Sequence, residues 1–206
     1  MVSLKRSRKS GIRKILLLAV WLIMLLAAAY YLYECSDFAV DDTKFASEIR
    51  EAASKYGIDS RLVRALIYEE SRFRPGAVGR AGEVGLMQIM PKRAAADWAK
   101  ANNVPCPAPG VLFSPRINLE IGCWYLSDGL RRFSDYNAAT ELALARYNAG
   151  LSRANKWKPA DKNGPVTDNI TIASTRKYVK NIMARYQRYC QEDNGKQKIK
   201  TGLKKL

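Results

Sequence analysis

The chain has 206 residues, with 35 lysines and arginines against 19 acidic residues and no histidine. Because 48% of the residues are hydrophobic, the chain is able to bury a core, which excludes wholesale disorder. Without histidine, Ser-His-Asp and Cys-His catalysis are excluded, so acid–base chemistry falls to carboxylates, tyrosine, lysine or cysteine. The net charge of +16 indicates an anionic partner such as nucleic acid, a membrane surface or an anionic wall polymer.

Much of the positive charge lies at the two ends of the chain. Residues 1–14 carry a net charge of +6 and residues 191–206 carry +3, which leaves +7 for the long middle region. A basic nucleic-acid-binding face is therefore not required.

The first predicted element is a membrane-spanning helix over residues 15–33, which contain no charge and no proline. A helix of this length spans about 28 Å, close to the bilayer core of about 30 Å. Basic residues precede the segment and acidic residues follow it, which places residues 1–14 in the cytoplasm and the rest of the chain outside. We predict a single-pass anchor in the inner (cytoplasmic) membrane.

A cleavable signal peptide is the alternative interpretation of the same segment. Residues 16–26 would form its apolar region, and the alanines at 27–29 its cleavage site. We favour the uncleaved anchor; both interpretations export the domain that follows to the periplasm or the outside.

Export also changes how the four cysteines are interpreted. They are too scattered for a metal site and have no histidine partners. Outside the cytosol an even number favours disulfides, although three pairings are open. The cysteines are Cys35, Cys106, Cys123 and Cys190.

After a linker over residues 34–42, the helical period dominates, and we predict one mainly α domain over residues 43–190. The first helix begins after Asp42 or Thr43, and the second after Asp59 or Ser60. A glycine-rich loop occupies residues 74–90, and the tail 191–206 is predicted to be frayed or disordered. The predicted helices cover residues 43–56, 60–71, 91–101, 117–133, 138–149 and 174–190.

Helix phase turns Glu70 toward the apolar side of the second predicted helix. At 100° per residue its apolar stripe centres about 70° from Leu62, while Glu70 falls at about 80° and Glu69 at about −20°. A carboxyl facing an apolar surface has a raised pKa and can act as a general acid near neutral pH. The alternative is a glutamate at a helix end, paired with Arg72, Arg74 or Arg146.

Three ordered motifs decide between these interpretations. They are ESRFRP at 70–75, GLMQIMP at 85–91 and YNAG at 147–150. Together they closely resemble the lytic murein transglycosylases of the soluble, lysozyme-like type, over roughly residues 45–190. The resemblance implies a mainly α, lysozyme-like fold, shared with goose-type lysozymes, and a groove for peptidoglycan glycan strands. It also implies cleavage of the β-1,4 bond between N-acetylmuramic acid and N-acetylglucosamine, leaving a 1,6-anhydro-muramyl end.

The resemblance implies a reaction with one carboxylate. The glutamate in the place of Glu70 protonates the glycosidic oxygen, and the substrate's own N-acetyl group stabilises C1. The same glutamate then removes the proton from the C6 hydroxyl, which attacks C1. No metal, histidine or cofactor is needed, in keeping with the composition.

Further site residues carry over from the motifs. The resemblance makes Gln88 and Met90 groove residues, with Gln88 able to bond an N-acetyl group and Met90 offering an apolar contact. It implies that the hydroxyl of Tyr147 orients the catalytic glutamate. Asn148 is predicted to hold the turn or to contact a sugar. Ser71 is predicted to contact the substrate and to form a hydrogen bond at the end of its helix.

Three positions depart from the family pattern. Gly79 stands where the family often has serine, and Ser174 where a glutamate often precedes a Tyr-Val pair. Glu83 stands where a small residue is usual. Goose-type lysozymes carry acidic residues in this loop, so the presence of Glu83 suggests an alternative function, hydrolysis of the same bond by a muramidase. The simpler interpretation is that Glu83 forms a surface ion pair with Arg80.

We expect Glu83 to be a substrate-binding residue of the groove and to support Glu70 without activating water. A non-catalytic wall-binding protein is the other alternative, because the same groove would serve binding alone. A DNA-binding protein conflicts with export.

Overall fold

The computed structural model describes residues 2–35 and 40–203, and their side chains over 13–32 and 40–195. The chain divides into two units between Asp41 and Asp42. The first unit contains helix α1, Val2–Cys35. Within it, Arg13–Leu32 is long and apolar enough to cross a membrane, a property that signal sequences share. The apolar side chains of this segment are exposed, as in Leu22 and Leu26.

The second unit is built almost entirely from helices. A π-helical turn occupies Pro91–Ala95, and 3₁₀ turns occupy Pro109–Phe113 and Thr167–Asn169. The α-helices are α2, Ala46–Lys55; α3, Ser60–Ser71; α4, Ala96–Ala101; α5, Pro115–Arg132; α6, Ala139–Ala149; α7, Leu151–Lys156; and α8, Ala173–Leu203.

Helix α3 confirms its predicted bounds. Its N-cap is Asp59, whose carboxylate accepts from the backbone N–H of Arg61 at 2.9 Å. It ends because Arg72 and Phe73 adopt left-handed backbone angles, with φ of 50° and 59°. Two non-glycine residues in this region turn the chain sharply away from the helix axis. Glu70 is therefore held in the last turn of α3.

Other helix bounds differ from the sequence predictions. Helix α2 begins at Ala46 because left-handed Phe45 precedes it, so the predicted start at Asp42 or Thr43 was too early. Helix α7 was not predicted, since no helix was expected between residues 149 and 174. The prediction of a frayed or disordered tail was wrong for residues 191–203, because α8 continues as far as Leu203, and residues 204–206 lie outside the described part of the chain.

Helices α3 and α8 form the central pair of this unit. The apolar face of α3 is buried, including Leu66 and Ile67 at 0% exposure, and it packs against α8. Tyrosines of α8 bond to both ends of α3. Tyr186 donates to the capping carboxylate of Asp59 at 3.0 Å, and Tyr178 bonds to Glu70 near the other end. The other main contacts join α5 with α2 and α6, and α6 with α7 and α8.

The loop between α3 and the π-helical turn folds back on itself. Isolated antiparallel bridges join Val78 to Val84 and Val84 to Ile89. Helix α5 holds this loop through buried Asn118, which accepts from the N–H of Met87 at 2.7 Å and donates to the carbonyl of Val84 at 2.8 Å. The same amide donates to the carbonyl of Leu112 at 2.8 Å.

Gly85 allows the close approach between the loop and α5. Its φ is 82°, and a Cβ there would overlap the Asn118 amide and lie 2.7 Å from the carbonyl oxygen of Leu112. Both the left-handed angle and the space therefore require glycine at this position.

The cysteines of the described side chains do not form the expected disulfides. Cys106 is exposed, Cys123 is buried and Cys190 is half-buried, and all three are free. Burial, with a smaller contribution from Glu120, raises the pKa of the Cys123 thiol to about 12, so this thiol stays protonated. The side chain of Cys35 lies outside the described residues.

We expect Asn118→Ala to destabilise the domain by about 2–5 kcal/mol, because it leaves several buried backbone groups without partners. Urea unfolding followed by circular dichroism measures this change. The matched control is Asn102→Ala, which removes an exposed amide that donates to the carbonyl of Trp98. A control effect of the same size would contradict the special role of Asn118.

Candidate active site

A cleft of about 210 Å³ opens beside the end of α3. Its walls come from α3, the loop 74–90, the π-helical turn, α5 and the end of α6. The lining residues are Glu70, Ala81, Glu83, Gln88, Ile89, Met90, Arg93, Ala94, Tyr125, Tyr147, Asn148 and Gly150. Most of the residues predicted from the motifs therefore lie around one cleft.

Glu70 is held in this cleft by a tyrosine that the motif analysis did not assign to the site. The hydroxyl of Tyr178 donates to Glu70 Oε1 at 2.5 Å. Glu69 instead accepts from the exposed amide of Asn181 at 2.9 Å. The two neighbouring glutamates thus face different surroundings, in the directions that helix phase predicts.

The surroundings of Glu70 raise its pKa to about 7. Removal from water is the largest cause, because it disfavours the charged form. The hydrogen bond from Tyr178 opposes this rise, whereas the negative charges of Glu69 and Glu83 add to it. A carboxyl with this pKa exchanges its proton readily near neutral pH.

The hydrogen bond of Tyr147 goes to the loop 74–90. Its hydroxyl donates to the carbonyl oxygen of Met87 at 2.8 Å, while Tyr178 supplies the hydrogen bond to Glu70. Tyr147 still lines the cleft, and burial raises the pKa of its phenol well above the usual value. The Tyr147 hydroxyl thus fixes the loop backbone beside Glu70, and its role in orienting Glu70 stays a prediction. The sequence signal for Tyr178 was its place in the Tyr-Val pair.

Tyr125 is a second residue of the cleft that sequence reasoning missed. Its ring meets the Tyr147 ring edge-on at 5.5 Å between centroids, and the Arg146 guanidinium lies 4.1 Å from its centroid. Arg146 is buried and pairs with Asp128 at 2.7 Å, so it is not a partner of Glu70. No motif links Tyr125 to Arg146, because only the packing of α5 on α6 brings them together.

Ser71 lies behind the cleft wall. It is 2% exposed, and its hydroxyl donates to the carbonyl of Leu86 at 2.7 Å. The hydroxyl is enclosed and already bonded, as the predicted local bond requires, while contact of Ser71 with substrate stays a prediction. Asn148 lies at the surface of the cleft, where its Oδ1 accepts from the Thr175 hydroxyl at 2.8 Å.

Gln88 and Met90 both line the cleft, just before and just after the bridged residue Ile89. Gln88 has a left-handed φ of 47°, and its amide nitrogen donates to the carbonyls of Gly85 at 2.9 Å and Ala77 at 3.3 Å. These bonds fix the amide and leave its oxygen on the side of Gly79.

Glu83 lines the same cleft as Glu70. One carboxylate oxygen accepts from the backbone N–H of Ala81 at 3.0 Å. Among the described side chains, Arg80 makes no ion pair with Glu83, which removes the simpler interpretation of a surface pair.

Residues 47–170, more than half of the chain, match the transglycosylase SLT domain family. The chain belongs to this family. It is 29% identical over 168 residues to the membrane-bound lytic murein transglycosylase C of Edwardsiella ictaluri, covering 70% of this chain and 47% of that protein. Identity is 30% over 159 residues to the protein of the same name from Photorhabdus laumondii, covering 68% and 44%. The chain thus spans about half the length of these curated relatives.

Solved structures confirm the predicted lysozyme-like, mainly helical SLT fold. The 70 kDa soluble lytic transglycosylase of Escherichia coli superimposes with a TM-score of 0.63 at 30% identity, covering 71% of this chain and 24% of that one. The lytic transglycosylase Slt of Pseudomonas aeruginosa, in an inactive mutant, gives a TM-score of 0.64 at 27% identity, covering 74% and 25%.

Tyr178→Phe is expected to raise the pKa of Glu70 further above about 7, because it removes the donor that favours the ionised carboxylate. Titration of the Glu70 side-chain carbon by NMR measures the change. In the matched variant Tyr147→Phe, the Glu70 midpoint should stay near the wild-type value. The reverse pattern would restore Tyr147 as the orienting tyrosine.

Proposed function

We propose that this protein is a lytic transglycosylase that cleaves the β-1,4 bond between N-acetylmuramic acid and N-acetylglucosamine in peptidoglycan. The reaction is non-hydrolytic and leaves 1,6-anhydro-muramyl ends. The observation that carries the proposal is Glu70, a desolvated carboxyl held by Tyr178 in the cleft of an SLT domain. The names of the relatives, which are lytic transglycosylases, support it.

In the first step, protonated Glu70 donates its proton to the glycosidic oxygen while the bond from C1 to that oxygen breaks. A pKa of about 7 keeps a large share of Glu70 protonated at neutral pH. The substrate's N-acetyl group stabilises the positive charge at C1. The scheme thus needs one carboxylate, unlike the two of most glycosidases.

In the second step, ionised Glu70 takes the proton of the C6 hydroxyl as that oxygen bonds to C1. The proton count closes, because Glu70 ends in the protonated form with which it began. Tyr178 favours the ionised form by its hydrogen bond, whereas desolvation and the charges of Glu69 and Glu83 favour the protonated form. The opposition suits a group that must act first as acid and then as base.

The remaining cleft residues are proposed to hold the glycan strand. Met90 offers an apolar, adaptable contact, and Asn148 offers an exposed amide at the rim. Gln88 lines the cleft, with its amide oxygen on the side of Gly79, and is proposed to bond an N-acetyl group of the glycan. The Tyr125 ring is proposed to contact a sugar face.

The N-terminal helix is proposed to anchor the enzyme in the cytoplasmic membrane, with the SLT domain in the periplasm or outside. Support comes from the apolar segment of α1, its flanking charges and the membrane-bound relatives. Nucleic acid has no place in this proposal.

The muramidase alternative is favoured by one observation, the presence of Glu83 in the same cleft as Glu70. Inverting hydrolysis uses a second carboxylate about 6.5–9.5 Å from the acid, with room for water. The two reactions leave different chain ends, anhydro for transglycosylation and reducing for hydrolysis.

Glu70→Gln is expected to lower the rate by about 10²–10⁴-fold, because it removes the general acid. The full chain in detergent is incubated with purified peptidoglycan, and the released muropeptides are identified by mass spectrometry. Glu69→Gln is the control and should stay close to wild type. Reducing ends would replace the proposal with hydrolysis, and binding without cleavage would favour the wall-binding protein.

The same variant reports on the fold. The Glu70 pKa rises from 4.5 to about 7 on folding, so the wild type loses stability as pH rises through this window. We expect Glu70→Gln to be more stable than wild type at pH 8, by up to about 3 kcal/mol, with no difference at pH 4. Thermal unfolding at the two pH values checks this. If the variant were less stable than the wild type at pH 8, the ionised carboxylate of Glu70 would be stabilising the fold, contrary to this prediction.

The anchor is tested by fractionation. The protein should remain with membranes after washing in high salt, and protease added from the outer side should digest the SLT domain. A mature N-terminus near Tyr30 would instead demonstrate a cleaved signal peptide.

A further inference from the structure

The carboxylate of Glu83 occupies the space that a side chain at position 79 would fill. A Cβ built on Gly79 would overlap Glu83 Oε2, and it would lie 2.9 Å from Glu83 Cδ and 2.8 Å from Gln88 Oε1. The φ of Gly79 lies outside the left-handed region that favours glycine. A side chain at position 79 would therefore have to displace the flexible ends of Glu83 and Gln88, whereas the backbone angle itself does not call for glycine.

The turn around Glu83 holds the carboxylate in this place. The backbone N–H of Gly79 donates to the carbonyl of Glu83 at 2.8 Å, and that of Gly82 donates to the carbonyl of Gly79 at 3.1 Å. The N–H of Ala81 fixes Glu83 Oε2 at 3.0 Å. Within the described part of the chain, Oε1 has no hydrogen-bond donor, so one acceptor stays available beside the cleft.

Two departures from the family motif, Gly79 and Glu83, are therefore adjacent in space. A larger residue at 79 would displace the carboxylate. Conversely, loss of the carboxylate would leave a gap over Gly79. The Glu83 carboxylate and a side chain at position 79 would thus compete for the same space.

We propose that Gly79 and Glu83 act as one unit, in which the carboxylate seated over Gly79 accepts a hydrogen bond from the bound glycan. An ionised carboxylate only accepts, so its partner must be a donor: the acetamido N–H or a sugar hydroxyl. The identity of the glycan rests on the proposed function. The unit adds a charged acceptor to the cleft beside Glu70 and Gln88.

A double-mutant cycle tests the unit through binding. Affinity for an N-acetylglucosamine–N-acetylmuramic acid tetrasaccharide is measured by calorimetry, with every variant in a Glu70→Gln background so that no cleavage occurs. We expect Glu83→Ala and Gly79→Ser each to weaken binding by about tenfold or more, since each removes or displaces a charged acceptor. The double variant should bind better than either single variant, because the serine hydroxyl then fills the vacated space.

The matched control is the double variant Gly79→Ala/Glu83→Ala, which fills the same space without a hydroxyl and should not recover binding. The proposal would be overturned if the losses in binding of Glu83→Ala and Gly79→Ser were additive in the double variant. It would also be overturned if the alanine double variant recovered binding as well as the serine double variant. Circular dichroism of each variant reports folding. Glu83→Gln keeps the size of the side chain and must also weaken binding, so the proposal stays testable if a Gly79 variant does not fold.

The pH dependence of the reaction rate distinguishes a role of Glu83 in the cleft from a merely structural role. The groups that face Glu70 are Glu69, Glu83, Tyr147 and Tyr178. In the otherwise wild-type enzyme, Glu83→Gln should move the alkaline limb of kcat/KM to lower pH, because a negative charge near Glu70 is lost. Glu51→Gln, at an exposed position of α2, should leave the limb in place. An unmoved limb in Glu83→Gln would overturn the proposal.

The outcome for the proposed function is read separately, from the products of the wild type. Absence of anhydro ends would refute the transglycosylase while leaving the binding cycle to judge the Gly79–Glu83 unit. Reducing ends from the wild type together with an inactive Glu83→Gln variant would overturn both, because Glu83 would then activate water.

Discussion

The pairing of α3 with α8 is the contact on which the active site depends. Tyr186 and Tyr178 of α8 bond to Asp59 and Glu70 near opposite ends of α3, while an apolar face is buried between the helices. Because Glu70 is placed by this pairing, its carboxyl is removed from water and hydrogen-bonded at the same time. The packing of α3 against α8 therefore also determines the acid–base properties of Glu70.

The loop opposite Glu70 is held by three helices rather than by strands of its own. Ser71 of α3 bonds to the carbonyl of Leu86, Asn118 of α5 to the N–H of Met87, and Tyr147 of α6 to the carbonyl of Met87. Each side chain satisfies a backbone group that a sheet would otherwise have to pair. The rigid backbone that results carries Gln88 and Glu83 into the cleft.

Local rules were enough to predict α3 and the orientation of Glu70, because the Asp59 cap and the 3.6-residue period lie within one segment. The motifs predicted the cleft residues Gln88 and Met90 in the same way. Tyr178 was missed because it lies 108 residues from Glu70 and reaches it only through the packing of α8. Tyr125 and the Gly79–Glu83 contact were missed for the same reason, since no sequence period relates them.

The sharp end of α3 has an electrostatic consequence of its own. Peptide dipoles align along a helix, so its C-terminus carries partial negative charge that disfavours a nearby carboxylate by about 0.3–1 kcal/mol. The left-handed residues Arg72 and Phe73 place that terminus directly after Glu70. If the helix continued for two more turns, Glu70 would lie away from the negative pole and would hold its proton less firmly. The backbone that stops the helix therefore contributes to the strength of the acid.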